Sequence, residues 1–192
     1  MVKAETWRVF CAIELPHEVR TKVLAHSLRL RKAVPEARAS WSTPDNIHLT
    51  LKFLGEIPQS RLENLSTAAA NAAQGLEAFS ISVQGSGVFP TRGQPRVLWI
   101  GIEDLEGTLG DLYRRLEEEC AKAGFSKEAR AFHPHLTLAR LRKPEGARLL
   151  AETHKQIGFE PIEFSVSELL VIRSELSSAG SKYTTLSRHP LL

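Results

Sequence analysis

The 192-residue chain is 42% hydrophobic and 24% charged, enough to bury a core without disulfide or metal staples and too well mixed for a fibrous or disordered chain. Its formal net charge of +3 suits an anionic substrate but is far from the dense positive surface of a protein that coats nucleic acid. Cys11 lies in a strand-like apolar run and Cys120 on a helical apolar stripe, so both read as buried thiols rather than a bridge. With no signal-type leader and no apolar run of membrane-spanning length, the expected location is the cytoplasm, and no membrane partner is expected.

Trp7 to Leu15 reads as a mostly buried first strand. Pro16 then opens a helix to about Lys32, with Val19, Val23, Leu24, Leu28 and Leu30 on its apolar side and Arg29, Arg31 and Lys32 on a solvated face. Arg38 to Thr43 is a short strand, Pro44-Asp45-Asn46 a turn, and the strand that follows carries His48-Leu49-Thr50-Leu51 and closes at Gly55. Pro58 opens a second helix that ends at Gly75. Phe79, Ile81 and Val83 alternate with Ser80, Ser82 and Gln84 as a half-buried strand, and after Gly85-Ser86-Gly87 and a loop over 90–95 the segment Arg96 to Gly101 pairs back on it. A third helix presents Leu105, Leu109, Leu112, Leu116 and Cys120 and ends at Gly124. Phe132 to Leu141 carries the second copy, His135-Leu136-Thr137-Leu138; Pro144 to Gly158 is a short helix; Phe164 to Ser174 and Lys182 to Arg188 are strands around a turn at Ser177-Ser178-Ala179-Gly180.

Each HLTL strand is preceded by an apolar strand and a helix, a loose internal repeat. It predicts one α+β domain over residues 1–192, made of two pseudo-symmetric lobes. Each lobe is an antiparallel sheet backed by helices, and a cleft lies between them. On a strand, residues two apart share a face, so His48 and Thr50 project one way while Leu49 and Leu51 anchor the other; His135 and Thr137 repeat the arrangement.

Two imidazoles that face each other across a phosphorus atom can take a proton from water and deliver one to a departing oxygen. The threonine hydroxyls can donate to non-bridging phosphate oxygens. Carboxylates do not gather near either motif, and His133-Pro134-His135 is a poor metal signature, so no metal or nucleotide cofactor is expected. The competing account of a single such tetrapeptide is a half-buried strand histidine bonded to a neighbouring carbonyl; two identical copies at equivalent places in a repeat favour chemistry.

The sequence resembles the 2H phosphoesterases, named for paired H-x-[ST]-x motifs, and within them the bacterial and archaeal RNA 2′,3′-cyclic phosphodiesterases, historically called 2′-5′ RNA ligases. The resemblance spans nearly the whole chain. It rests on Arg8 to Pro16, His48 to Gly55, His133 to Arg140, and the ending Ser174-Glu175-Leu176, Gly180 and Tyr183-Thr184-Thr185-Leu186. It implies metal-independent opening of an RNA terminal 2′,3′-cyclic phosphate to a 2′-phosphate, with reversible 2′-5′ ligation as the companion reaction. By the same resemblance His135 is the base, His48 the acid, and Thr50, Thr137 and Arg140 hold the phosphate. Simple alternation places Arg140 on the strand face opposite His135, so it can serve only if the strand ends, twists or bulges there.

Lys52 continues the His48 and Thr50 face by parity and is a second candidate for substrate contact; Phe10 is a third, as a ring for a nucleobase, although its apolar strand favours core packing. His133, Arg92, Trp41 and Tyr183 carry weaker signals, and His17, His26, His154 and His189 carry none. The expected partners are RNA ends or nucleoside 2′,3′-cyclic phosphates, with no obligate protein partner and a monomeric state. The alternatives are the same chemistry on a small cyclic nucleotide or 2′-5′ oligonucleotide, a metal-dependent phosphatase, or a non-catalytic RNA-binding module.

Overall fold

Five consecutive residues of strand β1 (Thr6–Glu14), from Val9 to Ile13, are buried on both faces, which suits an interior strand of a sheet covered from both sides. The computed structural model, which describes residues 5–177 and 180–192, places it there. The first sheet has the order β3-β1-β8-β9, with β3 (His48–Pro58), β8 (Glu168–Ser177) and β9 (Gly180–Pro190) all antiparallel to their neighbours. The second has the order β2-β6-β5-β4-β7 and is likewise antiparallel. Its strands are β2 (Ala39–Trp41), β4 (Phe79–Phe89), β5 (Val97–Glu103), β6 (His135–Leu141) and β7 (Ile162–Val166).

Four helices cover the sheets: α1 (His17–Ala33), α2 (Leu62–Ala73), α3 (Thr108–Lys122) and α4 (Ala147–Ile157). Helix α2 packs on α3, β8 and β9, and α3 also meets β3; helix α1 packs on α4, and α4 meets β4. Leu109, Leu112, Leu116 and Cys120 are buried along α3, as their helical spacing requires. The expected two-sheet α+β architecture is present, but its lobes are not successive halves of the chain. Helix α3 follows second-sheet strand β5 and packs beneath the first sheet; helix α1 follows first-sheet strand β1 and packs on α4. A large apolar core results, with a smaller separate cluster of Phe10, Ala12, Leu170 and Ile172.

Pro58 ends β3 and does not open α2, which starts at Leu62, and β6 starts at His135 and not Phe132; three further differences have identifiable reasons. Gly55 does not end its strand: Val9 pairs with Gly55 and Phe10 with Phe53, so Leu54 is extruded in a bulge that the positive φ of Gly55, 71°, accommodates. Gly87 is not a loop residue but a strand position beneath Trp99, where a Cβ would lie 2.1 Å from the indole. The segment expected as one strand from Phe164 to Ser174 breaks at Ser167, because β7 belongs to the second sheet and β8 to the first. The expected turn after Ser177 includes Ser178 and Ala179, which lie outside the described residues. Among the described residues no helix is long and apolar enough to cross a membrane.

Two histidines without a sequence signal tie α1, α4 and β5 together. The buried His154 donates Nε2–H to the Trp99 carbonyl at 2.9 Å, which leaves its Nδ1 to accept from His26 Nε2–H at 3.0 Å. Both rings are thereby held neutral. Burial, with His154 and Arg29 nearby, lowers the His26 pKa to about 4, and burial lowers that of His154 as well. Between the ordinary histidine pKa of about 6.5 and the folded value, the unfolded chain binds protons that the folded pair excludes, so stability falls with falling pH. The Tm measured by circular dichroism should therefore drop from about pH 7 to about pH 5, and His26→Gln should make that drop shallower.

Candidate active site

Both HLTL segments are strands, and their alternation is as expected over the first four residues. Leu49, Leu51, Leu136 and Leu138 are buried in the core, while His48, Thr50, His135 and Thr137 are half-buried on the other face. Strand β3 is the edge of the first sheet and approaches β6 of the second, which brings the two motifs to one seam.

The alternation then breaks at the same place in both copies. On β1, Ala12 pairs with Thr50 and Cys11 with Lys52, so Leu51 has no opposite residue; on β5, Trp99 pairs with Thr137 and Leu98 with Ala139, so Leu138 has none. Each strand is bulged directly after its threonine. A bulge turns two consecutive side chains to one side, here Leu51 with Lys52 and Leu138 with Ala139, all buried. The outward face resumes at Phe53 and Arg140. Arg140 consequently shares the face of His135 and Thr137.

The same bulge overturns the parity expectation for Lys52. Its ammonium is buried on the helix side and donates to Glu117 Oε1 at 2.6 Å and to the Ser126 carbonyl at 2.9 Å, while Glu117 Oε2 accepts from the Glu128 amide at 3.0 Å. It fastens β3 to α3 and the segment that follows α3, and does not reach the cleft. In the second copy the equivalent position is Ala139, which has no such task.

Ser42, which carried no sequence signal, braces the second bulge. Its amide donates to the Leu138 carbonyl at 2.8 Å and its hydroxyl to the Thr137 carbonyl at 2.7 Å. These bonds satisfy carbonyls on either side of the break in the ladder.

Each imidazole sits in an aromatic cradle. Phe10 stacks on His48 with ring centroids 4.6 Å apart, and Tyr183 meets the same imidazole edge-on at 5.2 Å. Phe10 is only 2% exposed and packs with Ala12, Leu170 and Ile172, so it supports the imidazole and is not open to a nucleobase; core packing, which its apolar strand favours, holds, and the candidate substrate contact does not. Burial lowers the His48 pKa to about 4, against a smaller upward pull from the Asn46 backbone; the buried Nδ1 closes no hydrogen bond of normal length.

His135 is cradled by Phe89, edge-on at 5.2 Å, and Trp99 at 6.2 Å. Its Nδ1–H donates to the His133 carbonyl at 2.6 Å, which leaves Nε2 as the acceptor of the neutral ring. Burial lowers its pKa, the His133 carbonyl opposes that shift, and the charge of Arg140 and the His133 ring add to it. His133 thus acts on His135 through its backbone carbonyl and through its ring. Burial raises the Tyr183 phenol pKa, while Ser181, Arg8 of the first sheet and Arg140 of the second pull it down. Arg8 itself stacks over Phe53, 4.5 Å from the ring, and Trp41 packs under Arg31. Among the described residues no group of three or more His, Cys, Asp or Glu is placed to hold a metal ion.

Comparison with known proteins matches residues 19–177 to the 2′-5′ RNA ligase superfamily. The RNA 2′,3′-cyclic phosphodiesterase of Methanothermobacter thermautotrophicus is 37% identical over 180 residues, covering 93% of this chain and 96% of its own. Among solved structures, TT0787 of Thermus thermophilus superposes with a TM-score of 0.79 at 28% identity, over 96% of this chain and 97% of that one. Escherichia coli LigT complexed with 3′-AMP superposes with a TM-score of 0.75 at 28% identity, over 97% of this chain and 99% of that one.

The buried ion pair yields a test that separates structure from chemistry. Lys52→Met leaves Glu117 buried and unpaired, and urea denaturation should register a loss of about 3–5 kcal/mol. Turnover measured well below the lowered Tm should be retained; a selective loss of turnover with stability intact would return Lys52 to the cleft.

Proposed function

The chain belongs to the 2′-5′ RNA ligase superfamily and is an RNA 2′,3′-cyclic phosphodiesterase, and we propose that the two bulged His-x-Thr strands are its catalytic apparatus. The observation that carries this reading is the repeated bulge, which gives β3 and β6 the same outward face and adds Arg140 to one of them.

In this reading the cyclic phosphate sits between the two strands. Thr50 and Thr137 donate to its non-bridging oxygens, and Arg140 balances the charge that shifts during displacement. His135 is the base: with Nδ1–H tied to the His133 carbonyl, its Nε2 lone pair takes a proton from water as the water oxygen bonds to phosphorus. The P–O3′ bond breaks on the opposite side, and His48 gives a proton to the departing 3′ oxygen. The products are a 2′-phosphate and a 3′-hydroxyl, and the two imidazoles exchange one proton with solvent to reset. An RNA 5′-hydroxyl in place of water gives a 2′-5′ bond by the same route.

The acid needs a proton that the free protein does not hold near neutral pH, because burial keeps the His48 pKa at about 4. An anionic phosphate in contact with that desolvated ring favours the imidazolium, so substrate binding loads the acid. The enzyme acts as a cytoplasmic monomer on RNA ends; the convergence of both motifs within one chain supports the monomer, and the buried free thiols of Cys11 and Cys120 suit a reducing compartment.

His48→Ala and His135→Ala should each lower kcat by about 10²–10⁴-fold, on the order of 3–5 kcal/mol of barrier, on an RNA bearing a 2′,3′-cyclic end. Unchanged turnover in either variant would overturn the assignment, and a 3′-phosphate product would move His48 to the other oxygen. Calorimetry of 2′-phosphate product binding in buffers of different ionisation enthalpy, near pH 7, should register proton uptake that disappears in His48→Ala.

A further inference from the structure

The positive face of the cleft continues past Arg140. A groove of about 610 Å³ opens beside it, lined by Gln94, Arg96, Arg140, Leu141, Arg142 and Pro144. Three guanidinium groups and an amide border it, with no carboxylate in the lining. The fold brings them together where strands end: the Leu141 amide donates to the Arg96 carbonyl at 2.8 Å, and Arg140 lies opposite Val97, so the residues at the start of β5 and the end of β6 stand side by side.

Arg96, Arg140 and Arg142 are all exposed and have no ion pair among the described residues, a state they share with several other surface arginines; what sets them apart is that all three border one hollow. Like charges gathered around one hollow without internal counter-ions attract an anion from outside, and the planar guanidinium fork matches a phosphate oxygen pair. The groove is larger than one terminal phosphate requires and shares Arg140 with the cleft. A strand whose cyclic end occupies the cleft therefore has its next anionic group within reach of this groove.

We propose that the groove is a backbone subsite in which Arg96 and Arg142 hold the phosphodiester on the 5′ side of the terminal nucleotide, so that the enzyme prefers oligoribonucleotide ends to mononucleoside 2′,3′-cyclic phosphates. The inference rests on the phosphodiesterase reading of the cleft and adds the length of substrate that the site grips. Arg140 is left out of the test because it belongs to the cleft itself.

The test compares wild type with Arg96→Gln/Arg142→Gln on two substrates that share a 3′ nucleoside, a mononucleoside 2′,3′-cyclic phosphate and a short oligoribonucleotide with the same end. The double variant should lose about 10-fold or more in kcat/KM on the oligonucleotide, mostly through KM, and stay within about twofold of wild type on the mononucleotide. Its log KM against log salt slope on the oligonucleotide should be shallower by about 0.7, the value for one neutralised phosphate of a single strand. Equal losses on both substrates, or none on the oligonucleotide, would overturn the subsite. Fluorescence anisotropy with an oligoribonucleotide ending in a 2′-phosphate separates the two readings. Tight wild-type binding that the double variant weakens, without turnover of either substrate by wild type, would keep the groove and reject the phosphodiesterase reading.

Discussion

One distortion, a single residue extruded after each threonine, decides the layout of the cleft. Without it, β3 and β6 would alternate strictly, Lys52 would face the cleft, and Arg140 would be turned toward the core. With it, two adjacent side chains point inward on each strand, and the outward row restarts one position late. The cost of the broken ladder is met locally on β6, where Ser42 bonds the Thr137 and Leu138 carbonyls. On β3 the inward-turned lysine is given a buried acceptor set of its own.

The electrostatics of the cleft follow from what lies around the imidazoles. Aromatic rings support and orient His48 and His135, burial is the leading influence on both, and both rings favour the neutral form in the free protein. An anion bound beside either ring would favour its imidazolium form. His135 has the better-defined tautomer, because a short bond to a backbone carbonyl fixes its Nδ1 proton.

The repeat is symmetric in its backbone and asymmetric in its side chains. Arg140 occupies the position that Phe53 fills in the first copy, and Ala139 the position of Lys52. Arg8, from the neighbouring strand β1, stacks over Phe53 and so restores a guanidinium on the first side. The second side carries more positive charge, and the groove that shares Arg140 extends this bias to Arg96 and Arg142.

The sequence by itself determined the two HLTL strands and their outward faces, because a period of two separates His48, Thr50, His135 and Thr137 from the leucines that anchor them, and because the motif occurs twice in equivalent surroundings. It also determined most helices, whose apolar spacing depends only on local geometry, and the α+β class. Only the tertiary structure decided where the strand period slips, since a bulge is set by pairing with β1, β5 and Ser42 rather than by residues within the strand. For that reason Lys52 left the site and Arg140 joined its face. Tertiary contact likewise set Phe10 beneath His48 instead of beside a base, gave Tyr183 a place against the same imidazole, and paired His26 with His154. It also crossed α1 and α3 between lobes that a reading of consecutive halves would keep apart. Each of these depends on partners far away in the chain, which no local pattern encodes.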